Sequence, residues 1–297
     1  MSTLTDTPSD LPAETAHDPA GSRRAARRTL PLRVEAVRQL RRRRTAAMGA
    51  LVVLLPLIIL IAFQVGGSPG GGRNQDALLT VATASGPNFA ATCLFLSSGF
   101  FLVVPVALFF GDTVASEAGW SSLRYLLAAP VPRTRLLVSK LTVALGFSTV
   151  ATVLVPLVAL AAGTAAYGWG PLQLPTGGAL PTGTAVVRLL TALGFILLSQ
   201  LVTAALAFWL STVTDAPLGA VGGALGLTIL GNILGAITAL GGVRDFLPTY
   251  WAYSWVDLLQ TDPQWNGMAK GVSVSVSYAL VLFALAFRHF RAKDVVS

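Results

Sequence analysis

The chain has 297 residues, of which 54% are hydrophobic and only 11% are charged, with a formal net charge of +8. Soluble globular domains carry about 25% charged residues, so this composition indicates a membrane protein. Ten of the 21 lysines and arginines lie between Arg23 and Arg44, directly before the first apolar run. This cluster is typical of a membrane-flanking segment, and no recognition motif for nucleic acid accompanies it.

The N-terminal 45 residues divide into two parts before the first apolar run. Residues 1–30 hold almost no large apolar side chain and predict a disordered cytoplasmic tail. Residues 31–45 alternate apolar and basic side chains, which predicts an amphipathic elbow helix in the headgroup region. The basic region is too long for a signal peptide and no small-residue cleavage site follows it, so we favour a retained first span.

Residues 46–297 predict an all-α membrane domain with six transmembrane helices, since about 20 apolar residues cross a bilayer. A Gly-rich loop follows the first span, a Pro/Gly loop (residues 167–185) follows the third, and a tight turn at Thr214 to Pro217 follows the fourth. The predicted spans are 46–65, 89–110, 139–166, 186–211, 218–240 and 270–289.

The distribution of positive charge predicts the orientation of these spans. With both termini in the cytoplasm, the inner segments hold 17 of the 21 lysines and arginines, and only Arg73, Arg188, Arg244 and Lys270 lie elsewhere. Short loops rich in lysine and arginine stay in the cytoplasm. We therefore expect a multi-pass protein of the cell (plasma) membrane, with cytoplasmic N- and C-termini.

The polar stretch from Gly111 to Lys140 lies between the second and third spans. Residues 114–129 predict an amphipathic helix, with Trp120, Leu123 and Leu127 on one side and Glu117 and Arg124 on another. The Pro130-Val131-Pro132 sequence ends this helix, because proline disfavours helical geometry before it. A new helix is expected to begin near Arg133. The helix either contacts a partner or rests on its own membrane domain.

The sequence lacks the residues that several kinds of membrane-protein chemistry require. The only histidines, His17 and His289, lie in the tail and at the end of the last span, so a histidine-based metal or catalytic cluster inside the membrane is not expected. The charged residues Asp112, Asp215 and Arg188 are expected at span ends, which leaves no evident ion relay. No lysine follows a glycine, so the GxxxxGK phosphate loop is missing, and this chain is not expected to be an enzyme.

Two further features lie near the C-terminal end. Residues 241–269 are aromatic, with Tyr250, Trp251, Tyr253 and Trp255, and predict either an interfacial aromatic belt or a short outer hairpin that gates an exit path. The fifth span is rich in glycine, and its GxxxG spacings suit close helix packing within one chain or between two chains. Its glycines are Gly219, Gly222, Gly223, Gly226, Gly231 and Gly235.

The Gly111 to Lys140 stretch resembles the first cytoplasmic loop of ABC-2 type transporter permeases, the membrane subunits of ATP-binding cassette exporters. The resemblance extends over residues 32–297 through the elbow helix, the six spans and the outer segment. It departs from the family at Trp120-Ser121-Ser122, where a Gly-Thr pair is frequent. The matching order is Glu117, Gly119, Leu123-Arg124, Leu126-Leu127, Pro130, Arg133, Leu136-Leu137 and Lys140.

The resemblance implies that this loop is a coupling helix docked on a separate ATP-binding subunit, which holds ATP and Mg²⁺. It implies a dimer with a second permease copy, identical or different, with a seam at the first and fifth spans. The apolar spans favour a hydrophobic or amphipathic cargo. An ATP-independent channel or secondary transporter, and a non-transporting scaffold or sensor subunit, are the alternatives. The residues implied for coupling are Glu117, Trp120, Leu123, Arg124, Leu127 and Arg133.

Overall fold

The computed structural model describes residues 32–66, 77–119 and 133–292. Helices account for 83% of the structure, in agreement with the predicted all-α class. The α-helices are α1 (Leu32–Leu40), α2 (Arg43–Gly66), α3 (Ala77–Thr80), α4 (Gly86–Ser98), α5 (Val103–Gly119), α6 (Arg133–Tyr167), α7 (Thr182–Ser199), α8 (Leu201–Val213), α9 (Pro217–Ala236) and α10 (Asn266–Ala292).

Five helical segments are long and apolar enough to cross a membrane: α2, α6, α7 with α8, α9 and α10. The helices α4 and α5 form a sixth candidate if they count as one span bent by 49°. These segments coincide with the six predicted spans, and most of them extend beyond the predicted boundaries. The all-α membrane class is confirmed.

The second span differs most from its predicted course. The sequence predicts a span ending near residue 110 and a separate helix from about Val114, but α5 continues without a break to Gly119. Val114 and Ala115 are fully buried, and their backbone N–H groups lie 2.9 and 3.0 Å from the Ser211 hydroxyl of α8. Packing against α8 therefore holds residues 114–116 inside the bundle. Residues 120–132 lie outside the described residues.

The helix α8 lies at the centre of the bundle and packs against α5, α9 and α10. Its buried alanines, Ala204, Ala205 and Ala207, let neighbouring backbones approach closely. The Phe208 ring fills the remaining space, with its centroid 6.5 Å from that of Phe110 on α5 and 6.0 Å from that of Phe283 on α10. One apolar core thus joins the second, fourth and last spans.

The predicted Pro/Gly loop after the third span contains a small antiparallel hairpin of β1 (Leu172–Gln173) and β2 (Ala179–Leu180). Gly177 and Gly178 turn the chain with φ of 91° and 85°, values that glycine adopts readily. The side chain of Asn88, at the start of α4, donates to the Gln173 carbonyl at 2.8 Å and accepts from its N–H at 2.9 Å. The hairpin is therefore fixed on the end of α4.

The aromatic segment, residues 238–265, folds as three short 3₁₀-helices, η1 (Thr238–Phe246), η2 (Pro248–Trp251) and η3 (Ser254–Leu258). It packs against α7, α9 and α10. The aromatic belt and the outer hairpin that gates an exit path both stay predictions.

Candidate functional site

Asp112 is a buried carboxylate at the end of the bundle where α2 begins, which we call the basic end. The sequence predicts it at the end of a span, but it lies inside α5, and its side chain is 6% exposed. Two arginines that flank the start of α2 pair with it: Arg42 Nη1 lies 2.5 Å from Oδ2 and Arg44 Nη1 lies 2.9 Å from Oδ1. The two guanidinium groups compensate the cost of burying the charge.

A second buried ion pair joins α1 to α6. Lys140 Nζ lies 3.2 Å from Glu35 Oε1, and the two side chains are 3% and 14% exposed. Glu35 also lies 3.7 Å from Arg38, which is largely exposed. We call the group Glu35, Arg42, Arg44, Asp112 and Lys140 the charge network. It fastens α5 and α6, the helices on either side of residues 120–132, to the N-terminal helices α1 and α2.

Residues 31–45 are predicted as one elbow helix, but residues 32–45 form α1 and the first residues of α2 with a break between them, and their position in the headgroup region stays a prediction. The helix is interrupted at Arg41 and Arg42. Across this break, the Thr45 hydroxyl donates to the Gln39 carbonyl at 2.7 Å. This break turns Arg42 towards Asp112.

The six predicted coupling residues are not tested by these contacts. The backbone at Glu117 belongs to α5, and α6 begins at Arg133, as the proline break predicts. The side chains of Glu117, Trp120, Leu123, Arg124, Leu127 and Arg133 all lie outside the described residues.

The glycines of α9 fall into two groups. A methyl group at Gly223 would lie 3.0 Å from Leu210, and one at Gly231 would lie 2.8 Å from Thr249, so these two glycines accommodate the chain's own packing. Gly222 and Gly226 are exposed, and a methyl group at either position would have no atom within 4 Å. One GxxxG pair therefore lies on a face that the described residues leave open. Gly219 and Gly235 have only ordinary contacts.

The four predicted aromatic residues occupy different environments. Trp255 is completely buried, whereas Tyr250 and Tyr253 are 37% and 42% exposed. The Trp251 indole N–H donates to the Asp245 carbonyl at 2.9 Å, and Lys270 lies 5.4 Å from its ring centroid. Tyr253 packs on Phe95 with centroids 5.2 Å apart, and its hydroxyl lies against Gly99, where α4 and α5 are bent. The aromatic segment thus contacts the bend of the second span directly.

Arg188 also connects this segment to the bundle. It is predicted at a span end but lies within α7, and its guanidinium donates to the Leu258 and Gln260 carbonyls of the aromatic segment. Asp215 lies in the turn between α8 and α9, as predicted.

Gln200 is a residue that the sequence reasoning missed. It alone separates α7 from α8 and is 7% exposed. Its Oε1 accepts from the Thr152 hydroxyl at 3.1 Å, but its Nε2 is buried and has no hydrogen-bond partner. Charged groups and histidine are the usual signals of a functional residue within a span, whereas the signal here is a lone amide in an apolar run.

Two cavities meet at Gln200. The larger, about 260 Å³, lies between α5, α6 and the α7–α8 span, and Leu145 and Leu198 at its lining are exposed on the bundle surface. The smaller, about 30 Å³, lies between the bend at Gly99, α8, α9 and the aromatic segment. Its polar side chains are Ser98, Ser199, Gln200, Thr203, Thr228, Asn232 and Thr249.

These features define a multi-pass helical membrane protein with buried charge at one end and a polar centre. The profile of the ABC-2 family transporter proteins matches residues 32–231, about two thirds of the chain. The chain therefore belongs to the ABC-2 transporter membrane family, and the predicted family is confirmed. A search of curated proteins found no match to this chain. Among residues 32–66, 77–119 and 133–292, no group of three or more side chains is placed to hold a metal ion.

Proposed function

We propose that this chain is the permease subunit of an ABC exporter, driven through residues 117–129 by a separate ATP-binding subunit that holds ATP and Mg²⁺. The observation that carries the proposal is the charge network, which braces both helices that border residues 120–132. Membership of the ABC-2 family also supports the proposal, because a permease of this family normally acts with an ATP-binding partner.

The bracing is suited to the transmission of force. Asp112 connects α5 to the start of α2, and Lys140 connects α6 to α1. Breaking a buried ion pair leaves an uncompensated charge, so these helices resist separation. A displacement applied to residues 120–132 therefore moves α5 and α6 together with the N-terminal helices instead of bending either one alone.

The proposed assembly contains two permease copies, with the termini in the cytoplasm as the basic residues predict. The open face of α9 supports a contact between copies, because Gly222 and Gly226 allow a second helix backbone to approach closely. The helix α2 is also peripheral, since only 17% of its most apolar stretch is buried. Both helices lie where the family resemblance expects the dimer seam.

Co-purification from the native membrane tests the main proposal. We expect an ATP-binding subunit to accompany the chain, and the reconstituted pair to move an amphipathic cargo only when ATP and Mg²⁺ are present. Ion-dependent flux through the chain alone would instead select a channel or secondary transporter. A partner without any flux would select a scaffold.

Charge reversal tests the coupling residues. The variants Glu117→Arg and Arg124→Glu, singly and together, are expected to lower cargo-stimulated ATPase activity in the reconstituted pair. The matched control is Asp262→Arg, an exposed charge in the aromatic segment. Unchanged stimulation in the double variant would remove Glu117 and Arg124 from the coupling surface.

A further inference from the structure

Gln200 lies near the middle of the span that α7 and α8 form, and it is buried. It is followed by the 13 residues of α8, which at about 1.5 Å per residue place it roughly 20 Å from the basic end of its span. The hydrocarbon core is about 30 Å thick, so the amide lies within it. A buried donor at this depth is costly unless something accepts its hydrogen bond.

The Gln200 amide makes one hydrogen bond and has one donor group without a partner. The Thr152 hydroxyl, which is completely buried, donates to Oε1 at 3.1 Å, while Nε2 has no partner. The side chain lines both cavities. The structure therefore holds a preorganised hydrogen-bond donor at the boundary between a large apolar space and a small polar one.

The larger cavity determines what kind of molecule can reach this donor. Apart from Gln200, its lining has only Ser148 and Thr149 as polar side chains, and no charged residue is among the described residues that line either cavity. Leu145 and Leu198 are 45% and 42% exposed, so the cavity reaches the outer surface of the bundle. Its volume of about 260 Å³ matches a small apolar molecule or one part of a larger molecule.

We propose that Gln200 is the hydrogen-bond donor of a binding site for uncharged, mainly apolar molecules that carry an acceptor oxygen, such as a ketone or an ether. The apolar body lies among Val106, Phe110 and Leu201, and the oxygen accepts from Nε2. The molecule reaches the site from the bilayer. Its role as a cargo site rests on the permease function proposed above, whereas its ability to bind does not require an ATPase.

Competition photolabelling of the full chain in nanodiscs tests this site. A diazirine-bearing alkane is expected to label residues 197–204, detected by mass spectrometry. Undecan-2-one and undecane then compete at equal mole fractions in the bilayer. We expect the ketone to compete about fivefold more effectively, the effect of one hydrogen bond. Equal competition by the two molecules would overturn the proposal.

Variants separate the donor from the cavity. Gln200→Leu removes the donor with little change in size and is expected to abolish the ketone preference, whereas the matched control Gln264→Leu, an exposed glutamine, is expected to keep it. Thr149→Leu narrows the cavity and should reduce labelling by the probe itself. A preference that survives in Gln200→Leu, or labelling that is undiminished in Thr149→Leu, would contradict the proposal.

A transport measurement distinguishes the site from the proposed function. If the ketone binds through Gln200 but the chain and its ATPase do not move it with ATP, the site stands and its role as a cargo site fails. If ATP-driven export occurs without the ketone preference in competition, the permease function stands and this site is wrong.

Discussion

The carboxylate of Asp112 accepts a hydrogen bond from Arg42 across 70 positions of sequence, with Nη1 and Oδ2 2.5 Å apart. The pair joins the start of the first span to the second span at the end where the chain enters the bundle. Arg44 binds the other carboxylate oxygen at 2.9 Å. The connection is therefore a three-residue cluster around one buried negative charge.

Removal of that charge should destabilise the bundle. Asp112→Asn leaves Arg42 and Arg44 without their anion, and because both arginines keep some access to water we expect a loss of about 2 kcal/mol in the free energy of unfolding. Chemical denaturation in detergent micelles measures it. The control Arg38→Gln removes the more exposed partner of Glu35, which keeps its pair with Lys140, and should cost less than about 0.5 kcal/mol. Equal effects of the two variants would argue against a structural role for the cluster.

Two glycines of α6 give opposite predictions for the same substitution. A methyl group at Gly163 would lie 2.7 Å from the Phe89 Cβ, so Gly163→Ala should destabilise the fold by about 1–3 kcal/mol. Gly146 has no atom within 4 Å of the methyl position, so Gly146→Ala should be neutral or stabilise by up to about 1 kcal/mol. Denaturation of both variants in one detergent gives the comparison. Loss of stability in Gly146→Ala would contradict the open space at that position.

The open face of α9 gives a prediction about assembly. The double variant Gly222→Ile and Gly226→Ile should reduce the dimer fraction at least tenfold and leave the monomer fold intact, because a methyl group at either position would have no atom within 4 Å. Cross-linking in nanodiscs measures the dimer, and circular dichroism checks the fold. Gly194→Ile on α7, also in open space, is the matched control. An unchanged dimer fraction would place the seam elsewhere.

Asp257 predicts a pH dependence in the aromatic segment. Burial raises the pKa of its carboxyl group above the ordinary value of about 3.9. The folded state therefore binds the proton more tightly than the unfolded state, and it should lose stability as the pH rises from about 4 through the raised pKa. Thermal unfolding of the wild type and of Asp257→Asn across this range tests the effect. The variant should lack this part of the pH dependence. If the stability of the wild type and of the variant changes with pH in the same way, another group causes the dependence.

The sequence was sufficient for the helical class and the approximate spans, because each long apolar run is separated from the next by glycine, proline or charge. The start of α6 at Arg133 followed from the two prolines before it. The end of the second span could not be predicted in this way. Hydropathy falls at Asp112, whereas the contacts that hold this part of α5 in the bundle, from Arg42, Arg44 and Ser211, come from distant parts of the sequence.

The same limit explains the residues of the polar centre. Gln200, Thr152 and Asn232 are uncharged and isolated in apolar runs, so no local pattern indicates that they approach one another. Gln200 accepts a hydrogen bond from Thr152, which is 48 positions away in the sequence. Asn232 donates to the carbonyl of Gly99, which is 133 positions away. The GxxxG spacing of α9 likewise identified close packing, but only the structure separates Gly223 and Gly231, which meet their own chain, from Gly222 and Gly226.

The length of α6 has a mechanical consequence. Its 35 residues extend about 52 Å, whereas the hydrocarbon core is about 30 Å thick, so the helix is roughly 20 Å longer than the core. Such a helix acts as a lever whose fulcrum is the bilayer. A tilt of about 10° around a point roughly 20 Å from the Arg133 end would move that end by about 3.5 Å, comparable with the helix shifts of known switching proteins. Under the proposed function, an input of a few ångströms at residues 120–132 would tilt α6 about a point close to Leu145 and Ser148, which line the larger cavity.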